Sequence, residues 1–354
     1  MTYDFLLPNL GAGGAERISL IFARLLKKSG QDVRFINLGH EGGEMTEWLK
    51  PEFDVTSLNR SRSLKAIPAL VNFLRKHKGD TVFASRENAS IAGLIACRLT
   101  HTPIILRLPN MPTNQLHHGA KGLKLRIVKW VNKRLFRHAK TVIAQTDAMR
   151  DEAIAYYGLP PEKVVTIYNP VDIEQIRTNA TKGNNPFTHS GKHFLSVGTI
   201  DFRKGVDVLL NAFTILRDQI PDATLTIVGR KEGEYAHKLI EKWDGKNGVV
   251  FCGFHENPYP YMAHCDVFVL SSRMEGFPNV LLEAMCLNKP VVATTCLPVV
   301  SQLVHDGING YVCPVEDAEI MANCMMKALD LKDIQNTYTL FDHQKLVEVF
   351  MCKQ

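Results

Sequence analysis

The sequence predicts an α/β protein of two Rossmann-like halves, each a parallel sheet covered by helices. Three observations carry this. Short apolar runs of strand length alternate with longer runs of helical spacing along most of the chain. Two strand-like runs, 3–7 and 194–197, lead through glycines into helices. A polar stretch, 178–193, rich in Asn, Thr, Gly and Lys, separates the two series as a linker. At 354 residues the chain is long enough for two sizeable cores. The expected domains are 1–178 and 194–335, with 336–354 forming a last helix that returns to the first domain.

In chain order, Tyr3 to Leu7 reads as a short buried strand. Gly11, Gly13 and Gly14 form a loop that enters a helix at Ala15 and Glu16. Ile18, Ile21, Phe22, Leu25 and Leu26 give that helix its apolar face, and Lys27, Lys28 and Gly30 end it. A dinucleotide fingerprint fails here, because its third glycine would fall on Glu16 and the second strand, 33–38, does not end in an acid. Further strands are expected at 81–84, 103–106, 141–144 and 164–168, with helices at 64–74 and 89–99. Parallel strands put ligands beyond their C-terminal ends. That rule singles out 13–16, 85–88, 107–114 and 145–147. The second series has strands at 194–198, 224–229, 249–254, 266–270 and 290–294, with a helix from Val206 to Leu216.

Composition bounds the class. The chain is 45% hydrophobic and 22% charged, as in an ordinary globular protein. There is no apolar run of about 18 residues to span a membrane and no signal-peptide plan at the start. None of the eight cysteines forms a Cys-x-x-Cys pair, so buried free thiols in a reducing cytoplasm are expected. Residues 1–180 carry 26 Lys and Arg against 16 Asp and Glu, and the remainder 16 against 20. The basic first half expects an acidic partner. Much of its charge lies in 121–140, a basic amphipathic helix with Leu123, Ile127, Val131 and Leu135 in one apolar line and Trp130 beside it. It reads either as a core helix with a solvated face or as an adhesion surface for anionic lipid. It lacks the interleaved aromatics of a single-strand nucleic-acid site.

The chemistry centres on 271–285. A strand-like run, 266–270, is followed by a loop from Glu275 to Pro278 and by a helix from Asn279, with Leu281, Leu282 and Met285 on its apolar face. Unpaired backbone N–H groups at a helix start attract phosphate. Glu275 in the loop and Glu283 on the helix can accept hydrogen bonds from sugar hydroxyls on either side. A phosphate between two polyols is a nucleotide sugar. Two solvated acids are the plain alternative.

This segment, with the strand 290–294 in register behind it, resembles the paired-glutamate signature of retaining glycosyltransferases of family 4, the group 1 hexosyltransferases of GT-B fold. The resemblance runs over residues 3–350 and is most specific over 194–312. It implies two domains facing a cleft, with a nucleotide sugar, UDP-linked by expectation, on the second and the acceptor on the first. It implies donor contacts from Gly13, Gly14, Gly198, Thr199, Gly229, Arg230, Phe254, Gly276, Phe277, Pro278, Asn279, Val280 and Glu283, the last holding the ribose. Lys204, with Arg203 and Glu275, would serve catalysis at the leaving phosphate and the sugar. Glu16, Arg107 and Asn110 are acceptor-side candidates. No cofactor or metal is expected, since no Asp-x-Asp stands at a strand end. The acceptor would be a glycan or lipid-linked sugar in cell-surface polysaccharide synthesis, reached from the cytoplasm or the inner face of the plasma membrane.

Three departures stand out. Many family members carry a cleft histidine after the strand 103–106, where this chain has Arg107-Leu108-Pro109-Asn110; His117 and His118 come later. Thr199 replaces a phosphate-gripping arginine, a charge that Arg203 would supply. Leu297 to Gln302 replace paired glycines and a glutamate. Alternatives are a UDP-sugar epimerase or hydrolase, or a non-catalytic binding protein, on the same fold. Acceptor dependence and turnover discriminate them.

Overall fold

Every paired strand runs parallel to its neighbours, in two separate sheets. The computed structural model describes all residues except 12, 78, 80, 116–121, 189, 337 and 352–354, and describes backbone only at 114, 115, 122–125 and 127–129. The chain forms two units, 1–170 with 340–354, and 171–339.

The first unit holds β1 (Thr2–Leu7), β2 (Asp32–Asn37), β3 (Asp54–Ser57), β4 (Thr81–Ala84), β5 (Ile104–Arg107), β6 (Thr141–Ala144) and β7 (Val164–Thr166). Their order is β3-β2-β1-β4-β5-β6-β7. The chain winds one way from β1 and the other way from β4, so the switch point lies between β1 and β4. β1 and β4 are buried on both faces, which is why they read as mostly apolar runs; the exception in β1, Asp4, is buried in an ion pair with Arg34. β3 is an edge strand of four residues, half exposed, and has no apolar run to announce it. The helix Gly14–Lys28 buries Ile18, Phe22 and Leu26. The last helix, His343–Met351, packs on this same unit. Phe350 lies edge-on to Tyr3 at 5.3 Å, near Phe5 and Phe83, and its carbonyl accepts from the Tyr3 hydroxyl at 3.0 Å. Burying one such phenylalanine contributes roughly 1.5–3 kcal/mol.

The second unit holds β8 (His193–Val197), β9 (Thr224–Val228), β10 (Val249–Gly253), β11 (Val267–Leu270), β12 (Val291–Thr294) and β13 (Gly310–Cys313). Their order, β10-β9-β8-β11-β12-β13, puts the switch point between β8 and β11. Helices Val206–Arg217 and Ala318–Ala328 cover one face.

Two expectations are corrected. The units divide at Pro170/Val171, not at 178. The helix Ile173–Ala180 already belongs to the second unit, where its Asn179 carbonyl accepts from Asn257 Nδ2 at 2.9 Å and Arg177 Nε donates to the Cys286 carbonyl at 3.3 Å. Its short apolar face, Ile176 and Ala180, hid it in the polar stretch. In the basic segment the helix is Gly122–Phe136, and of the apolar line expected there Leu135 packs against the core while Val131 is 38% exposed. Asn132 and Phe136 are buried instead. Phe136 stacks flat on Tyr157 at 4.1 Å, which extends the buried face to that side of the helix. Leu123, Ile127, Lys121, Lys124, Lys129, His117 and His118 lie outside the described side chains.

Among the described residues no helix is long and apolar enough to cross a membrane. Cys97, Cys265, Cys286, Cys313 and Cys324 are buried and free, and Cys252 and Cys296 are free and half-buried.

Candidate functional site

In the second unit the loops leaving β8 and β11 flank the switch point, so topology alone brings their residues together. Lys204 stands in the turn Phe202–Lys204 after β8, and Glu275 follows β11. Lys204 Nζ lies 2.5 Å from Glu275 Oε1, which also accepts from Ser272 Oγ at 2.6 Å. The two side chains are only 20% and 10% exposed. Coulomb attraction at this separation is far stronger than between surface charges. The turn itself is capped by Asp201, whose carboxylate accepts from the Arg203 and Lys204 amides at 2.8 and 3.2 Å.

Glycines let these loops close. Gly205 has φ +61°, and a Cβ there would sit 2.1 Å from the Ser271 carbonyl. A Cβ on Gly229 would sit 1.7 Å from the Gly198 carbonyl. Gly198 faces the Lys204 side chain, and Thr199 is half-buried beside it. Gly276, Phe277 and Pro278 are buried and lead directly into the helix Asn279–Cys286. Asn279, Val280 and Glu283 are half-buried on its first turns. A helix start beside an Nζ is an electropositive corner suited to phosphate. On the neighbouring strand ends, the Arg230 guanidinium covers the exposed Phe254 ring at 4.0 Å, a flat platform of the kind on which a base stacks.

Arg203 does not join this cluster. Its guanidinium pairs with Asp201 at 2.5 Å and is half exposed. The residues that do join, and that had no role in the sequence reading, are Ser272, Cys296 and Arg273. Burial first, then Glu275, pushes the Cys296 thiol up to about 12, so it is protonated at neutral pH. Arg273 lies within the segment 271–285, but nothing in its spacing tells which way it points.

The first unit has a second cluster at its own switch point. Glu16, on the helix after β1, is buried and pairs with Arg86, after β4, at 3.3 Å. Its Oε2 has no hydrogen-bond partner among the described residues. Gly13 precedes that helix, and a Cβ there would sit 2.4 Å from the same Oε2; Gly14 begins the helix. Arg107, at the end of β5, is 2% exposed. It donates to Ser85 Oγ at 2.9 Å and to Gln145 Oε1 and Asn169 Oδ1, both at 2.7 Å. These partners come from the ends of β4, β6 and β7. Burial pulls the Arg107 guanidinium down to about 9, partly offset by Glu16. Its hydrogen bonds go inward, so it ties four strand ends together. Asn110 is half-buried in the loop that follows.

Residues 12–175 match the family described as Glycosyltransferase Family 4, and residues 191–330 match Glycosyl transferases group 1. The chain is 27% identical over 346 residues to the Campylobacter jejuni N-acetylgalactosamine-N,N'-diacetylbacillosaminyl-diphospho-undecaprenol 4-alpha-N-acetylgalactosaminyltransferase, covering 93% of this chain and 90% of that one. It is 26% identical over 356 residues to the Escherichia coli UDP-Gal:alpha-D-GlcNAc-diphosphoundecaprenol alpha-1,3-galactosyltransferase, covering 92% and 87%. In fold it is similar to HepE of Anabaena solved with UDP-glucose, with a TM-score of 0.77 at 22% identity over 98% of this chain and 97% of that one. The matches span both units, and with the two switch-point sheets they place this chain in the group 1, family 4 glycosyltransferases, hexosyltransferases of GT-B fold.

Proposed function

We propose that this enzyme transfers a hexose or N-acetylhexosamine from a UDP-linked sugar to a lipid-linked or glycan acceptor in cell-surface polysaccharide synthesis, with retention at the anomeric carbon. The observation that carries the reading is the Lys204–Glu275 pair at the switch point of the second unit. An arriving diphosphate takes Lys204 as its counter-ion, which frees Glu275 to accept from hydroxyls of the sugar. The helix start at Gly276 to Val280 receives phosphate oxygens, Glu283 accepts from the ribose, and the base lies against Arg230 and Phe254. As the glycosidic bond breaks, negative charge grows on the leaving phosphate. Fixed positive charge in a partly dry site then stabilises the transition state more than the ground state. Lys204 fills that role without a metal ion, with Arg203, paired with Asp201, as an outer charge. Glu16, Gly13, Gly14, Arg107 and Asn110 belong to the acceptor side and its frame.

The names of both relatives support an undecaprenyl-diphosphate acceptor, and that of the Escherichia coli relative supports a UDP donor. Such an acceptor lies in a membrane, and the helix Gly122–Phe136 supplies the contact. Trp130 is 59% exposed there, with the Arg134 guanidinium 4.9 Å from its ring centroid. Arg126 and Arg137 are exposed beside them.

A panel of nucleotide sugars scored for UDP release, first without acceptor and then with undecaprenyl-diphosphate sugars, tests the reading. NMR of the product gives the anomeric configuration. Donor turnover stimulated by the lipid and an α product from an α donor are expected. Release of free sugar at the same rate with and without every acceptor would point to a hydrolase.

A further inference from the structure

We propose that Arg273 is a positioning residue, which locks the turn carrying Lys204 onto the strand end carrying Glu275. The inference rests on the donor-site reading above and goes beyond it, since Arg273 is neither of the paired acids nor the lysine. All three carbonyls of the turn 202–204 are received by the segment 271–274. The Phe202 carbonyl accepts from Arg273 Nη1 at 2.8 Å. The Arg203 carbonyl accepts from the amides of Arg273 and Met274 at 2.7 and 3.3 Å. The Lys204 carbonyl accepts from Ser271 Oγ at 2.9 Å.

The Arg273 side chain is only 8% exposed, and its planar fork is fully used. Nη1 and Nη2 each reach an oxygen of Asp207 at 2.8 Å, on the first turn of the helix that follows the Lys204 loop. The other edge meets Glu316, with Nη2 at 3.0 Å. Its face lies 4.1 Å from the Phe202 ring, and Tyr235 holds Asp207 from the far side at 2.5 Å. One guanidinium therefore bonds the turn, the helix behind it and the loop beyond β13. A lysine has neither the five donors nor the flat face to do this. The arrangement holds Lys204 through its backbone. Catalytic groups lose efficiency steeply when displaced by about 1 Å, by roughly 100-fold.

The test is a kinetic double-mutant cycle on the full chain with the donor that turns over, using Arg273→Ala, Lys204→Ala and the pair. Arg273→Ala is expected to lower kcat about 100-fold while the KM for donor changes little. The double variant is expected to match Lys204→Ala alone within about twofold, because nothing remains to be positioned. Arg273→Lys, which keeps the charge and loses the fork, is expected to stay nearer to alanine than to wild type. Losses that multiply in the double variant overturn the inference and leave the donor site standing. So does a lowered melting temperature with an unchanged kcat per folded molecule. A Lys204→Ala enzyme as active as wild type overturns the donor-site reading and this inference with it. If Arg273→Ala does not fold, Asp207→Asn keeps the shape of the cluster and must show the same lack of additivity with Lys204→Ala.

Discussion

Lys204 and Glu275, 71 residues apart in sequence, meet at 2.5 Å because their loops leave the two strands that flank one topological switch point. Each keeps the other compensated in a site where neither charge is well hydrated. Donor binding has to exchange this contact for two others, phosphate on the lysine and sugar hydroxyl on the glutamate. Removing Lys204 therefore does more than remove a binding contact.

Lys204→Ala is expected to lower kcat by roughly 100-fold or more, the magnitude of losing one preorganised donor, with a smaller change in KM. Steady-state kinetics check this. A raised KM with an intact kcat would mean that the lysine only binds. Activity is also expected to survive excess chelator.

Glu283→Ala is expected to weaken donor binding by about 1.5–3 kcal/mol, the range for a hydrogen bond to a charged acceptor. That is roughly a 10- to 100-fold rise in Kd, measured by calorimetry. Unchanged affinity would remove the ribose assignment.

Arg107→Ala is expected to act on stability before activity. It leaves Ser85, Gln145 and Asn169 without their shared donor, at about 1–3 kcal/mol for each buried group that stays unpaired. At about 2–4 °C per kcal/mol for a domain of this size, the melting temperature of the first unit should drop by several degrees. Differential scanning calorimetry reads it.

Acid should loosen the second unit through Asp207. Burial pushes its carboxyl up, but hydrogen bonds from Arg273 and Tyr235 and the Arg273 charge outweigh this and hold it below its ordinary value. A depressed carboxyl contributes stability that is fully present above its unfolded value of about 4 and is lost as pH falls through the folded value. Asp207→Asn should thus flatten the decline of melting temperature below pH 4 and reduce stability at neutral pH. An unchanged acid limb would remove the assignment.

Vesicle co-sedimentation should show adhesion to anionic but not neutral lipid, weakening as salt rises past about 0.1 M, where charge is screened over about 10 Å. Basic residues near such a surface contribute about 1 kcal/mol each. Replacing Arg126, Arg134 and Arg137 by glutamine should therefore release the protein roughly 100-fold without unfolding it. No binding by the wild type at low salt would leave the helix a solvated one and favour a soluble acceptor.

The sequence by itself determined the layout and the paired-acid segment. β1, β4 and β11 are buried on both faces, so they are mostly apolar runs and can be read without a structure. Glycines at 205 and 229 are demanded by close backbone approaches that leave no room for a Cβ, and they mark the loops. Only the tertiary structure decided which charges meet. Arg203 and Lys204 are neighbours in sequence, yet one turns to Asp201 and the other to Glu275. Arg107 is drawn inward by three strand ends that lie 22, 38 and 62 residues from it in sequence, and Arg273 is committed to Asp207 and Glu316. Such side chains are placed by partners distant in the chain, and local periodicity holds no record of them. In the helix Gly122–Phe136 the internal pattern places Leu135 against the core, but it is the Tyr157 ring, distant in sequence, that selects Phe136 for burial.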